Sequence, residues 1–509
     1  MNRIGETSVL WGDVHNHCSI SYGFGSLENA LRRAKEQLDF CAVTGHAMWP
    51  DMPPRTPDTA FLIDFHLKGF EKLREYWPQV LKLVRSYNQE EVFTTFNSYE
   101  MHGSDMGDYH LLSPDDDVPL LYAASPRELL KKLGDFRGIM IPHHVAYPPG
   151  YRGIDWNAFD SAVSPVVEVC SKHGVGMREN APYPYYHNMG PRDPRSTVWN
   201  GLRLGKRFGF VGSTDHHAGY PGSYGDGKMA VLSDVNTRDA IFEAICSRRT
   251  YAVTGDKILC DLRVNGAPMG SLLSPCQKRQ VELSLRACAP LDKVVIYKNL
   301  RPLHILNGES LKETNSRGRY KLRIEMGWGN TADLYDWQGR LELENGILTD
   351  VETCFRGRSI LAPSKGLEAG DEVNDMRNRI VERSGNGVAW KCQTGKNIST
   401  LHPATCALVL EVEGSTDTRI RGSVNALRID TTVGKLLESG FAAPERATNS
   451  QSVLFHTALP ESQYAVNVAL ADEAETSEDF YHAEVYQTNG SCAFVSPVFF
   501  GENIRNTNC

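Results

Sequence analysis

The sequence predicts an α/β domain of barrel type followed by a mostly-β region. Three observations carry this expectation. In the first half, short apolar strand-like runs keep ending in His, Asp or Glu, and helical patterns separate several of them. After Gly255 the chain turns to short β-type runs between Gly, Pro and Asn turns, with few helical patterns. Twelve of the sixteen histidines lie at or before His217, where an even spread over 509 residues would put roughly seven.

Taken in order, Ser8-Val9-Leu10-Trp11-Gly12 reads as a buried strand that runs into Asp13-Val14-His15-Asn16-His17. Side chains alternate along a strand, so His15 and His17 project the same way. Ser26 can cap a helix whose stripe is Leu27, Ala30, Leu31, Ala34 and Leu38. Asp39 to Thr44 is a second strand, ending at Gly45-His46, and the pair of strands with its helix suggests a βαβ unit. A helical pattern from Phe61 to Tyr87 is expected to break or kink near Pro78. Strands follow at Val92–Phe96, just before Glu100, and at Gly138–Ile141, before His143-His144, with a short apolar piece at Tyr109–Leu112. Ser125-Pro126-Arg127-Glu128 is a capping box with proline at the first helical position. Pro165–Cys170 is a strand ending in Ser171-Lys172-His173-Gly174, and Phe208–Val211 is one ending in Gly212-Ser213-Thr214-Asp215-His216-His217. Met177–Ser196, rich in Pro, Tyr and Asn, reads as a long loop, and Asn236–Ser247 as a capped helix.

The division expected is residues 1–255 for the barrel-like domain and 256–509 for a sandwich-like region, with an inserted subdomain around 320–435. A net charge of −8 without a long basic run speaks against a nucleic-acid partner. No stretch approaches the roughly 18 apolar residues of a membrane span, and Met1–Ser8 lacks the apolar core of a secretory signal. Twelve scattered cysteines without C-x-x-C spacing fit reduced thiols, so a cytoplasmic location is expected.

Reactive groups at strand ends suit a metal ion such as zinc, manganese or iron. Asp215-x-His217 repeats the spacing of His15-x-His17 and would converge with it. Glu100 can bridge two ions, and His110 with one of His143 or His144 can complete a second shell. The segments Gly12–His17, Phe40–His46, Tyr99-Glu100, Asp108–His110, Ile141–His144 and Gly212–His217, in that order, resemble the PHP (polymerase and histidinol phosphatase) superfamily of metal-dependent hydrolases. They look closest to a branch in which a β-rich domain follows the barrel.

That resemblance implies a distorted seven-fold (β/α) barrel with the metals at its strand ends. One divalent ion would use His15, His17, Glu100 and Asp215, and a second Glu100, His110 and His143, with His144 the alternative. Many relatives hold a third ion through the histidines equivalent to His46 and His217. Here Tyr22 stands where an acidic residue is common and Gly45 where Asp is usual, so two metals are expected rather than three. The chemistry expected is hydrolysis by a metal-activated water, with His216 or His173 protonating the leaving group. Arg152, Lys172 and Arg178 are candidates to clamp an anionic small-molecule substrate, and Tyr183, Tyr185 and Tyr186 to wall its pocket. The leading expectation is a phosphoesterase. A carboxylic ester, amide or carbamate hydrolase, and a glycan- or partner-binding protein with a vestigial metal site, are the alternatives.

Overall fold

The structure is a computed structural model and describes residues 2–179, 193–308, 311, 317–329, 334–357, 377–395, 404–445 and 451–502. Tyr183, Tyr185 and Tyr186 lie outside the described residues. In the first half the strands are β1 (Asn2–Ile4), β2 (Thr7–Asp13), β3 (Phe40–Met48), β4 (Thr94–Met101), β5 (Asp108–Ser113), β6 (Ile139–His143), β7 (Val166–Ser171), β8 (Gly174–Val175), β9 (Gly209–Gly212), β10 (Lys228–Leu232) and β11 (Thr250–Val253).

The local signals behind the helices hold. Ser26 Oγ accepts the Asn29 N–H at the start of α1 (Leu27–Gln37), and Ser125 Oγ accepts the Glu128 N–H at the start of α3 (Pro126–Leu133). Between them, α2 (Ala60–Tyr87) continues through Pro78. Its buried face, with Leu73, Trp77, Val80 and Val84, outweighs the hydrogen bond that proline removes. Helices α4 (Val198–Arg203) and α5 (Arg238–Cys246) follow, α5 capped by Thr237.

The expected (β/α)7 barrel is not shown. One core does take side chains from β2, β3, β4, β5, β6, β7, β9 and β10, with α5 packed against them. The hydrogen-bonded ladder, however, is open and mixed. Pairs β2–β3, β3–β4 and β7–β9 are parallel, while β4–β5, β5–β6, β2–β10 and β10–β11 are antiparallel. Strand β7 lies alongside β6, and β9 alongside β11, without a ladder between them among the described residues. Taken whole, the protein is mostly β.

The main sheet also runs across position 255. Beyond β11 it continues through Cys492–Phe500, Phe480–Gln487, Leu291–Lys298 and Arg301–Asn307. Strands expected in the second half appear at Leu259–Val264, Lys278–Arg286, Cys406–Ser415 and Ala465–Glu473. Between Arg317 and Pro460, two antiparallel sheets share one core that includes Leu322, Ile324, Trp337, Trp390 and Leu408. Tyr220, from the loop after the Asp215-His216-His217 motif, is buried in that same core. No helix among the described residues is long and apolar enough to cross a membrane.

Candidate metal centre

The opening and closing motifs are laced together through their backbones. His17 N–H donates to His216 O at 2.8 Å, Asp215 N–H to His15 O at 2.7 Å, and Gly219 N–H to His17 O at 2.9 Å. Asp13 fastens this joint without facing the cluster: its carboxylate accepts Thr214 Oγ1 at 2.6 Å and Gly222 N–H at 2.9 Å. Burial pushes the Asp13 pKa up to about 6 despite those donors. Asp215 and His144 sit in the left-handed region, at φ +50° and +53°. Such a conformation is uncommon for residues other than glycine, and its cost concentrates at sites that need a side chain aimed.

The side chains then converge. His15 Nε2, His17 Nε2 and Asp215 Oδ1 form a triangle with edges of 3.2, 3.0 and 3.5 Å. Glu100 Oε2 lies 3.5 Å from His17 Nε2, 3.9 Å from His15 Nε2 and 3.4 Å from His46 Nε2. Glu100 Oε1 lies 3.1 Å from His143 Nε2, whose Nδ1 is 3.3 Å from His110 Nδ1. His217 lies tilted beside His17 and His46, with ring centroids 4.4 and 5.4 Å away. His144 Nε2 and His173 Nε2 approach Asp215 Oδ2 at 3.7 and 3.0 Å. All of these residues are buried.

Tautomers decide what the triangle means. His17 Nδ1 is 2.6 Å from the Thr44 carbonyl, an acceptor only, so that nitrogen carries the proton. His15 Nδ1 is 3.0 Å from the Glu168 carboxylate, which accepts its N–H in the same way. In the neutral rings both Nε2 atoms therefore present lone pairs, to each other and to Asp215. Burial disfavours charge on His15, yet the Asp215 and Glu168 carboxylates outweigh it and hold its pKa well above the usual range. Glu100 Oε2 and His110 Nε2 are buried without a hydrogen-bond partner among the described residues. Three or more donor atoms gather closely in several groups that could hold a metal, among them His15–His17–Asp215, His15–His110–His143 and His17–His46–His217.

Not every expected residue joins. Arg152 does: its Nε is 3.5 Å from Asp108 Oδ2 and its guanidinium lies over Trp49. Lys172 pairs with Asp226 at 3.4 Å, and Arg178 reaches across the fold to Glu484 at 2.6 Å. His216 takes neighbours outside the cluster. Its Nδ1 accepts the Ala218 N–H at 3.1 Å, and its ring packs beside Tyr220 and Gly357. Tyr22 is not aimed as a carboxylate would be: its ring stacks on His46 at 3.5 Å and its hydroxyl meets His102 Nε2 at 2.9 Å. Gly45, where Asp is usual, faces α2, where a Cβ would lie 2.4 Å from Leu73 Cδ1. A cleft lined by His144, Tyr147, Glu168, Ser171 and His173 opens beside the cluster.

Comparison with known proteins adds little to this geometry. No family model matches the chain. An uncharacterised protein of Chlamydia trachomatis is 26% identical over 329 residues, which is 59% of this chain and 49% of that protein. One from Chlamydia pneumoniae is 28% identical over 58% of this chain and 48% of its own length. The chain thus spans about half the length of the curated relatives it matches. A crystal structure from Bacteroides vulgatus, titled a two-domain protein containing a "predicted PHP-like metal-dependent phosphoesterase", aligns at 13% identity with a TM-score of 0.34. It covers 60% of this chain and 85% of its own.

Proposed function

We propose that this chain is a metal-dependent hydrolase, acting as a phosphoesterase on a small organic phosphate. The observation that carries the reading is the meeting of His15 Nε2, His17 Nε2 and Asp215 Oδ1 within 3.5 Å, with each Nδ1 proton committed elsewhere. Donor atoms buried this close need positive charge among them, and a divalent cation supplies it in place of the proton that the carboxylates otherwise favour on His15. The donor set therefore fits zinc, manganese or iron. His15, His17, Asp215 and Glu100 would hold one ion, and Glu100, His110 and His143 a second. Bound there, divalent ions supply Lewis acidity that makes water a nucleophile near neutral pH and offsets negative charge on the reacting group.

The remaining roles belong to the chain. Glu168 and the Thr44 carbonyl fix the His15 and His17 tautomers. Arg152, whose side chain is 17% exposed at the edge of the cluster, is placed to bind a phosphate oxygen. His173 lines the cleft and contacts Asp215, so it is positioned to hand a proton to the leaving group, and we prefer it to His216. An internal arginine favours an anionic substrate over a neutral carboxylic ester or amide. A panel of aryl phosphates and aryl carboxylic esters, assayed with added manganese or zinc, tests this reading. Turnover of phosphates lost on Arg152→Met is the expected result, and turnover of esters alone would overturn the phosphoesterase assignment.

A further inference from the structure

Two residues beside Glu100 are assigned to neither expected ion: His102 and Asp108, whose Oδ2 also lies 3.5 Å from Arg152 Nε. Glu100-x-His102 and Asp108-x-His110 have the same spacing as His15-x-His17 and Asp215-x-His217, so each pair projects to one face. The antiparallel ladder sets Glu100 opposite His110 and Met101 opposite Tyr109, which brings His102 to the level of Asp108. On the other side Asp108 stands opposite His143.

The side chains meet as that register requires. His102 Nδ1 lies 3.1 Å from Glu100 Oε1 and 3.3 Å from Asp108 Oδ2, and Glu100 Oε1 lies 3.1 Å from His143 Nε2. Ligand atoms about 2.1 Å from a tetrahedral ion stand roughly 3.4 Å from one another, so these are the separations a bound cation leaves between its donors. The His46–Glu100–His102 and Asp108–His143–His144 groups are each close enough to share an ion. A simple ion pair is the competing account. One imidazole N–H, however, serves one good acceptor, and here two carboxylates address the same nitrogen. The outer side of the ring is prepared as metal-bound histidines are: His102 Nε2 meets the Tyr22 hydroxyl at 2.9 Å, and Trp49, His66 and Phe70 surround it.

We propose that His102 and Asp108, with Glu100, form a third divalent-cation position in this chain, with Tyr22 as the partner that orients His102. The inference rests on the metal-dependent reading above. Its test is a count. Protein stripped with a chelator is reloaded with manganese(II) or zinc(II) and analysed for metal per chain, alongside His102→Ala and Asp108→Asn, with thermal unfolding as the check on folding. The expected result is three equivalents in the unaltered protein and two in each variant, with the last equivalent bound about tenfold more weakly in Tyr22→Phe. Two equivalents in the unaltered protein, or three retained in folded His102→Ala or Asp108→Asn, overturns the third position and leaves the two-metal reading standing. No bound metal at all overturns both.

Discussion

At Asp256 one buried carboxylate meets four donors, whereas at Glu100 one buried carboxylate meets a ring of imidazoles. Asp256 accepts Tyr224 OH at 2.8 Å, Arg323 Nη1 at 3.3 Å, Gln487 Nε2 at 2.7 Å and Asn489 Nδ2 at 2.7 Å. Burial alone would raise its pKa, but the Arg323 guanidinium and those donors hold it below the ordinary carboxylate value. That network closes on itself: each lone pair has a hydrogen and the negative charge has a cation. It joins the loop after the metal-type motif, the two-sheet unit between Arg317 and Pro460 and the C-terminal strands. At Glu100 the network does not close: Glu100, Asp215 and Glu168 face imidazoles rather than a fixed cation, and Glu100 Oε2 has no hydrogen bond among the described residues. The difference separates a structural joint from a site. A buried polar cluster complete in its own hydrogen bonds holds the fold, and one that lacks positive charge is built for something that brings it.

The largest expected effect is on chemistry at the open cluster: Asp215→Ala should lower hydrolysis on the order of 10³-fold or more, the several kcal/mol that metal-supplied charge stabilisation is worth. The unfolding midpoint of the metal-free protein should change little, as steady-state rates and thermal unfolding together would show. The next effect belongs to the closed joint. Arg323→Met leaves Asp256 buried without its cation and should cost about 3–5 kcal/mol of stability, with metal per folded chain unchanged. Denaturant unfolding with metal analysis checks it, and a loss of metal without a loss of stability would erase the distinction between the two clusters. The smallest effect probes the rim of the open cluster: Glu168→Gln should weaken metal affinity roughly 10–100-fold by loosening the His15 tautomer, measurable by competition with a chromophoric chelator.

Much of the open cluster was legible in the sequence because its signal is local. Residues two apart in an extended segment share a face, so His15-x-His17 and Asp215-x-His217 stand out, although both lie just beyond their strands, which end at Asp13 and Gly212. Glu100-x-His102 and Asp108-x-His110 carry the same signal and pass unread if attention stays on strand C-terminal ends. Strand β5 runs antiparallel to β4, so its contribution comes from Asp108 and His110 near its start. Glu168 is a different case: nothing local distinguishes a strand glutamate that orients His15 from one that faces solvent. Arg178 is harder still, since its partner Glu484 is 306 positions away. The open sheet was illegible for the same reason, because the pairing of β11 with Cys492–Phe500 joins segments with no shared pattern. Arg340-Leu341-Glu342-Leu343-Glu344 carries a local alternation that went unread: its leucines are buried and its charges exposed within the strand Tyr335–Glu344.

The claim on which the rest depends is that the buried histidine–carboxylate cluster holds divalent cations. Elemental analysis of the purified protein, before and after chelation and reloading, addresses it most directly. The account predicts at least two equivalents per chain, falling sharply in His15→Ala and Asp215→Ala. A folded protein that binds no divalent cation, and gains no hydrolytic activity from any that is added, would contradict it.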